Sequence, residues 1–206
     1  MKGQSVEHWL DQLGSSAPAP GGGAAGALGA AMAAALVEMV GNLSVDRGQD
    51  DAALRSVTAR ASALRHRATA LADEDAEVFT AVMDSYRLPR GDDAEKSARR
   101  AAIDAALAGA ARVPLDVAGL AAEVVGLSAE LLPMANPNVL SDVAVAAAGA
   151  RAALDSSVVN VEVNLALLED TTRRAELAAA LRPYATGTLQ ADADRLVTEV
   201  RRRIAA

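Results

Sequence analysis

The stretch LRSVTARASALRHRATALADEDAEVFTAV, residues 54–82, decides the fold. Within it Leu54, Val57, Ala61, Leu64, Ala68, Leu71, Asp75, Val78 and Val82 recur at alternating spacings of three and four. Held over several heptads, that spacing lays one stripe along a helix, as in a coiled-coil seam. The spacing predicts a helix from about Asp50 to Arg87, on the order of 55 Å long at 1.5 Å per residue. Leu88-Pro89-Arg90-Gly91 ends it. One member of the stripe is a carboxylate, Asp75, in a slot where every neighbour is apolar.

Outward from this seam the pattern stays helical. On the N-terminal side, Val6, Trp9, Leu10 and Leu13 share a face of a short helix that Gly14 closes. Pro18-Ala19-Pro20-Gly21-Gly22-Gly23 then leads into an alanine-rich helix expected to reach about Leu43. On the C-terminal side, a helix is expected from Asp92 to about Arg112. Another opens at Pro114, a favourable first-turn position, and runs to Leu132. Pro133 to Asn138 breaks the chain before a second long helix, about Val139 to Leu168. Inside it Val159 to Leu165 alternates with period two, the signature of a strand. Ala144 to Leu154 is strongly helical and no partner strand exists, so helix is expected throughout. Further helices begin at Asp170-Thr171-Thr172 and at Thr188. The expectation is an all-α helical bundle with two long helices and several shorter ones. Residues 1–206 are read as one unit.

The composition narrows the functions. Hydrophobic residues make up 51% of the 206 positions, yet aromatics only 2%. Alanine-rich faces let helices approach closely. At roughly 25 cal/mol per Å² they also contribute little per residue, so association with a second copy is expected. Without cysteine there is no disulfide, thiol nucleophile or cysteine-ligated metal. Two histidines, His8 and His66, argue against a histidine-rich zinc site. A formal charge of −7 argues against nucleic acid. The start carries no leader-like run, and the apolar stretch Ala24 to Val37 is short for a membrane span. No membrane partner and a cytoplasmic location are therefore expected.

Four places could carry chemistry. A carboxylate on an apolar stripe must be paired, hydrogen-bonded or protonated, so Asp75 is either an acid–base group or half of a structural ion pair. Gly21, Gly22 and Gly23 precede a helix whose first N–H groups are uncrowded and suited to an anion or a polar ring edge; a hinge is the alternative. G-x-G-x-x-G spacing at Gly21, Gly23 and Gly26 has no strand before it, so it is not a dinucleotide fingerprint. Asn138 is read as a helix cap, with Ser141 and Asp142 in the first turn. Asn160 and Asn164 lie four apart on one helical face, as a buried polar network or a ligand contact.

Taken together these blocks resemble the formiminotetrahydrofolate cyclodeaminase and methenyltetrahydrofolate cyclohydrolase family. They are Pro18 to Gly23 with Met39-Val40; Asp73-Glu74-Asp75-Ala76-Glu77-Val78-Phe79 leading to Tyr86-Arg87-Leu88-Pro89-Arg90; Asn136-Pro137-Asn138 with Ser141-Asp142; and Asn160-Val161 with Asn164-Leu165. The resemblance runs from about Ser5 to Asp170. It implies an all-α dimer with a folate site in a cleft between subunits, a tetrahydrofolate derivative as substrate, and no metal or redox cofactor. Carried onto this chain, it implies Asp75 as the catalytic acid–base group. Pro20, Gly21, Gly22, Gly23, Arg87, Asn138, Ser141, Asp142, Asn160 and Asn164 would contact the substrate. The chain departs from the family pattern at Ala24, where serine is frequent, and at Asp46-Arg47-Gly48-Gln49, where a Gly-Lys-Lys-Tyr-like run is frequent. Arg47, Arg87 and Arg90 are then the cations nearest to hand for a folate carboxylate. Two other readings stand beside an enzyme: a folate-binding module without turnover, and a purely structural helical dimer.

Overall fold

The computed structural model describes residues 3–45 and 52–206. These form α-helices α1 (Val6–Leu13), α2 (Gly22–Val45), α3 (Ala52–Tyr86), α4 (Asp93–Leu131), α5 (Leu140–Leu167), α6 (Thr171–Leu181) and α7 (Thr188–Ile204). The period-two stretch Val159 to Leu165 is helix, inside α5. Short-range chemistry sets the ends. Ser5 caps α1 by accepting from the His8 N–H, and Asp170 caps α6 by accepting from Thr172 and Arg173. Between α3 and α4, Asp92 accepts from Glu95 N at 2.8 Å while the Glu95 carboxylate accepts from Gly91 N at 2.7 Å, a reciprocal cap.

α2 lies at the centre, packed on α3, α4 and α5. It is 24 residues long, enough by length and composition to cross a membrane and longer than the apolar stretch suggests. Much of its apolar surface is instead buried against its neighbours, with Ala24, Ala27, Ala34, Val37 and Val40 inaccessible. Small residues make this packing possible. A Cβ on Gly41 would collide with Thr58 Oγ1 of α3, and one on Gly26 would come within 2.8 Å of Ser156 Oγ of α5. The seam behaves as its spacing predicts from Leu54 to Leu71, all six of whose apolar members are buried. From Asp75 onward its members are only half-buried, because Asp75, Val78 and Val82 line a cavity. Glu38 of α2 and Arg65 of α3 pair at 2.7 Å; the arginine holds the Glu38 carboxyl below its usual range.

Two expectations are corrected. The helices expected on either side of Pro114 are one, α4, with proline inside it. At 39 residues it is the longest element, so the bundle has three long helices rather than two. Apolar faces on both sides of Pro114 continue into the core, with Leu107, Ala111, Val117 and Ala121 buried, and this burial outweighs the roughly 3 kcal/mol that an interior proline costs. At the break before α5, Asn138 is not the cap: it lies inside a 3-10 turn, Pro137–Val139, that Asn136 caps, and Val139, next before α5, makes no side-chain cap. Asn136 Oδ1 accepts from Asn138 N at 3.0 Å, its Nδ2 donates to Leu43 O at 3.1 Å, and its N–H donates to Ser44 Oγ at 2.8 Å. The buried amide thus ties the start of α5 to the end of α2. Ser141 and Asp142 do fall in the first turn of α5.

Candidate active site

Asp75 meets the N-terminus of α2. Its Oδ2 accepts from the Ala24 N–H at 2.9 Å, and Oδ1 has no donor among the described residues. The contact depends on Gly23: a Cβ there would lie within 2.6 Å of the Asp75 Cγ and collide with Oδ1. The seam slot is therefore filled by a carboxylate because the facing element offers a helix N-terminus rather than a side chain. Burial pushes the Asp75 carboxyl above its ordinary value, and the Ala24 hydrogen bond only partly opposes this. No arginine or lysine pairs with it among the described residues, so the structural ion pair is not formed. The N–H groups of Gly22 and Gly23, ahead of the first helical hydrogen bond, have no acceptor among the described residues.

Asn160 and Asn164 of α5 complete the wall. A Cβ on Gly22 would sit 3.7 Å from Asn160 Nδ2, so the glycine turn is threaded between Asp75 and Asn160. Asn160 Nδ2 donates to Ser156 O at 2.7 Å and Asn164 Nδ2 to Asn160 O at 2.9 Å, leaving both Oδ1 acceptors without a donor among the described residues. Asn164 Nδ2 also reaches Ala110 O of α4, at 3.5 Å. That carbonyl lies four residues before Pro114, which has no N–H to give it, so the proline creates the acceptor that the asparagine uses. Sequence reasoning read Pro114 as a helix start and missed this. The available signal was that apolar periodicity runs unbroken through Pro114.

A cavity of about 250 Å³ opens between these groups. Gly21, Gly22, Gly23, Asp75, Asn160 and Asn164 line it, with Val78, Phe79, Pro114 and Leu167 supplying apolar wall. Six of the expected site residues thus meet at one place. Pro20, joined to Ala19 by a cis peptide bond, stands between lining residues without lining the cavity itself. Arg87 is away from it, pairing with Asp84 at 2.8 Å on the exposed side of α3. Asn138, Ser141 and Asp142 are at the other end of α5; Asp142 is 18 residues from Asn160, or about 27 Å along the helix. Arg47 lies outside the described residues. Arg90 lines a second cavity, together with Lys96, Arg99 and Arg100, and Leu167 belongs to the walls of both. The last three cations were not anticipated; their signal was the basic run at 96, 99 and 100 on one helical face just after Arg90.

Comparison with known proteins shows the family and the fold. Residues 5–183 match the family model described as formiminotransferase-cyclodeaminase. The chain is 42% identical over 170 residues to a methenyltetrahydrofolate cyclohydrolase of Methylorubrum extorquens, covering 81% of this chain and 82% of that one. It is 31% identical over 169 residues to the mouse formimidoyltransferase-cyclodeaminase, of whose length it spans 31%. The crystal structure of formiminotetrahydrofolate cyclodeaminase from Thermotoga maritima superposes with a TM-score of 0.81 at 28% identity, covering 99% of this chain and 97% of that one.

Proposed function

Since the chain belongs to the formiminotransferase-cyclodeaminase family, we propose that it is a folate one-carbon enzyme that hydrolyses 5,10-methenyltetrahydrofolate to the 10-formyl form. The observation that carries this is a cavity in which a half-buried carboxylate, without a cationic partner among the described residues, faces N–H donors and amide acceptors that those residues leave open. Likeness to the cyclohydrolase over four-fifths of both chains favours hydrolysis over deamination.

In this reading the methenyl carbon, bonded to N5 and N10, is the electrophile. Asp75 takes a proton from water as the water oxygen bonds to that carbon. The resulting tetrahedral carbon carries a hydroxyl group. As the hydroxyl proton leaves to solvent and the C=O forms, the C–N5 bond breaks and Asp75 returns its proton to N5. One water is consumed and one proton released. A carboxyl raised by burial suits both halves of this exchange near neutral pH. The Gly22 and Gly23 N–H groups stabilise the developing oxyanion or hold the pterin carbonyl, and the Asn160 and Asn164 oxygens accept from pterin N–H groups. Neither a resident metal nor a redox group is required. In the cyclodeaminase direction the same groups would serve N10 attack on a formimino carbon with loss of ammonia.

The reading includes a cytoplasmic homodimer. The cavity of about 250 Å³ is below the roughly 300–1,000 Å³ usual for an organic ligand of this size. Exposed apolar side chains run in stripes on two neighbouring helices: Met32, Met39 and Leu43 on α2, and Val145, Val159, Val163 and Leu167 on α5. Covering them with a second copy about a two-fold axis would bring the start of one α5 towards the end of the other. Asn138, Ser141 and Asp142 would then complete a site that one copy leaves open.

The test follows methenyl absorbance with purified protein and with Asp75→Asn. Loss faster than the spontaneous rate, reduced at least ~100-fold in the variant, is expected. Methenyl formation from 5-formiminotetrahydrofolate with ammonia release would assign the deaminase instead.

A further inference from the structure

Little ties α1 and the segment after it to the rest of the molecule. Only Trp9 of α1 is buried, while Val6 and Leu10 are exposed. The hydrogen bonds of residues 5–20 are local. Ser5 Oγ accepts from His8 N, and Gly14 N donates to Leu10 O. Ser15 Oγ donates to Gln12 O at 2.7 Å and accepts from Ala17 N at 3.1 Å. Among the described residues none of these bonds reaches α2 to α7. Yet the segment forms part of the Asp75 cavity, because Pro18 and Ala19 line it beside Gly21 to Gly23.

Trp9 is the tether. Its indole is 6% exposed and lies in the buried cluster that includes Ala24 of α2 and Leu71 and Ala72 of α3. That cluster is mostly alanine, whose methyl groups leave room for one large ring. Ala24 gives its N–H to Asp75, and Ala72 is one turn before Asp75 on α3. The cluster that seats the indole therefore also carries both elements of the Asp75–Ala24 contact. Trp9 itself does not line the cavity.

We propose that Trp9 is a positioning residue that latches residues 14–20 as a strap across one wall of the Asp75 cavity, and that the strap swings out to admit a folate when the indole leaves its seat. The admission step rests on the folate reading above. At about 250 Å³ the cavity is below the range usual for such a ligand, so a wall has to give. α3 and α5 each pack on both α2 and α4 and are braced. The strap is braced only where it enters α2 and at Trp9, so it is the wall that yields at least cost.

Trp9 is the only tryptophan, so protein labelled with 5-fluorotryptophan gives one fluorine NMR signal. It is titrated with 5-formyltetrahydrofolate, whose binding is followed by equilibrium dialysis. The signal should shift or split as the ligand binds. Trp9→Ala should raise the KM for 5,10-methenyltetrahydrofolate about tenfold and leave kcat within about threefold, because the Asp75–Ala24 contact stays. Trp9→Phe, which keeps a ring in the seat, should restore most of the KM. Amide exchange of the wild type without ligand reads the latch independently. The α1 amides should exchange at least ~100-fold faster than those of α2 and α3, at rates that low urea leaves unchanged, as local opening requires. Exchange of α1 together with α2 and α3 would overturn the latch, as would a fluorine signal unmoved by bound ligand or a folded Trp9→Ala with wild-type KM. Absence of folate binding would remove the folate reading and the admission step with it, and the exchange pattern would then decide the latch alone.

Discussion

Asp75 is where one residue carries the most consequence. Its place in the seam was legible because eight apolar neighbours define the stripe and the carboxylate interrupts it. That it faces the Gly21 to Gly23 turn was not, since 51 residues separate Asp75 from Ala24 and nothing local encodes the meeting. The raised pKa fixes a sign. An acid whose folded value lies above its unfolded value of about 3.9 costs no stability below the unfolded value, and the cost grows as pH rises through the folded one. Asp75→Asn, which keeps the shape and an acceptor for the Ala24 N–H, should therefore match the wild-type melting temperature near pH 3.5 and exceed it at pH 7. A lower melting temperature at pH 7 would contradict the burial argument. Gly23→Ala addresses the same contact from the other side. Its methyl displaces the carboxyl, so activity should fall at least tenfold while circular dichroism shows an intact helical protein.

Among the elements, α4 and α5 show what periodicity can and cannot convey. Helix type was readable throughout, even where Val159 to Leu165 alternates, because the flanking alanine-rich run extends the same helix. The continuity of α4 was not, since proline is as much a start signal as a fault within a helix, and only long-range burial decides between them. The fault has a use: Ala110 O, which lacks a helical donor, receives the Asn164 amide. Pro114→Ala would restore an N–H at position 114 and compete with Asn164 for that carbonyl. The variant should melt higher, by the order of the ~3 kcal/mol that proline costs inside a helix, and should bind substrate more weakly, read as a raised KM. Higher stability with unchanged KM would show that Asn164 is held well enough by Asn160 O alone. The Asn136 anchor was similarly hidden: the motif was visible, but which asparagine caps depends on Leu43 and Ser44 of a distant helix.

For the whole molecule, the alanine-rich composition anticipated close helix crossings, and the Gly26 and Gly41 contacts bear this out. It could not say which faces remain open. Among the described residues, the apolar stripes of α2 and α5 and the basic corner after α3 do. The dimer reading makes a definite demand of the first. Met32→Glu/Val159→Glu places charges on exposed positions that a lone copy tolerates. Sedimentation should show wild-type dimers becoming monomers, with catalytic activity lost alongside because Asn138, Ser141 and Asp142 no longer reach the Asn160 end. Wild-type protein that sediments as a monomer yet turns over substrate would mean that one copy suffices. The central claim, that the Asp75 cavity performs one-carbon chemistry on tetrahydrofolate, is tested most directly by the decay of methenyl absorbance with wild type and Asp75→Asn. The account predicts catalysed decay in the wild type and only the spontaneous rate in the variant. Equal catalysed rates in the two, or no catalysis in the wild type, would contradict it.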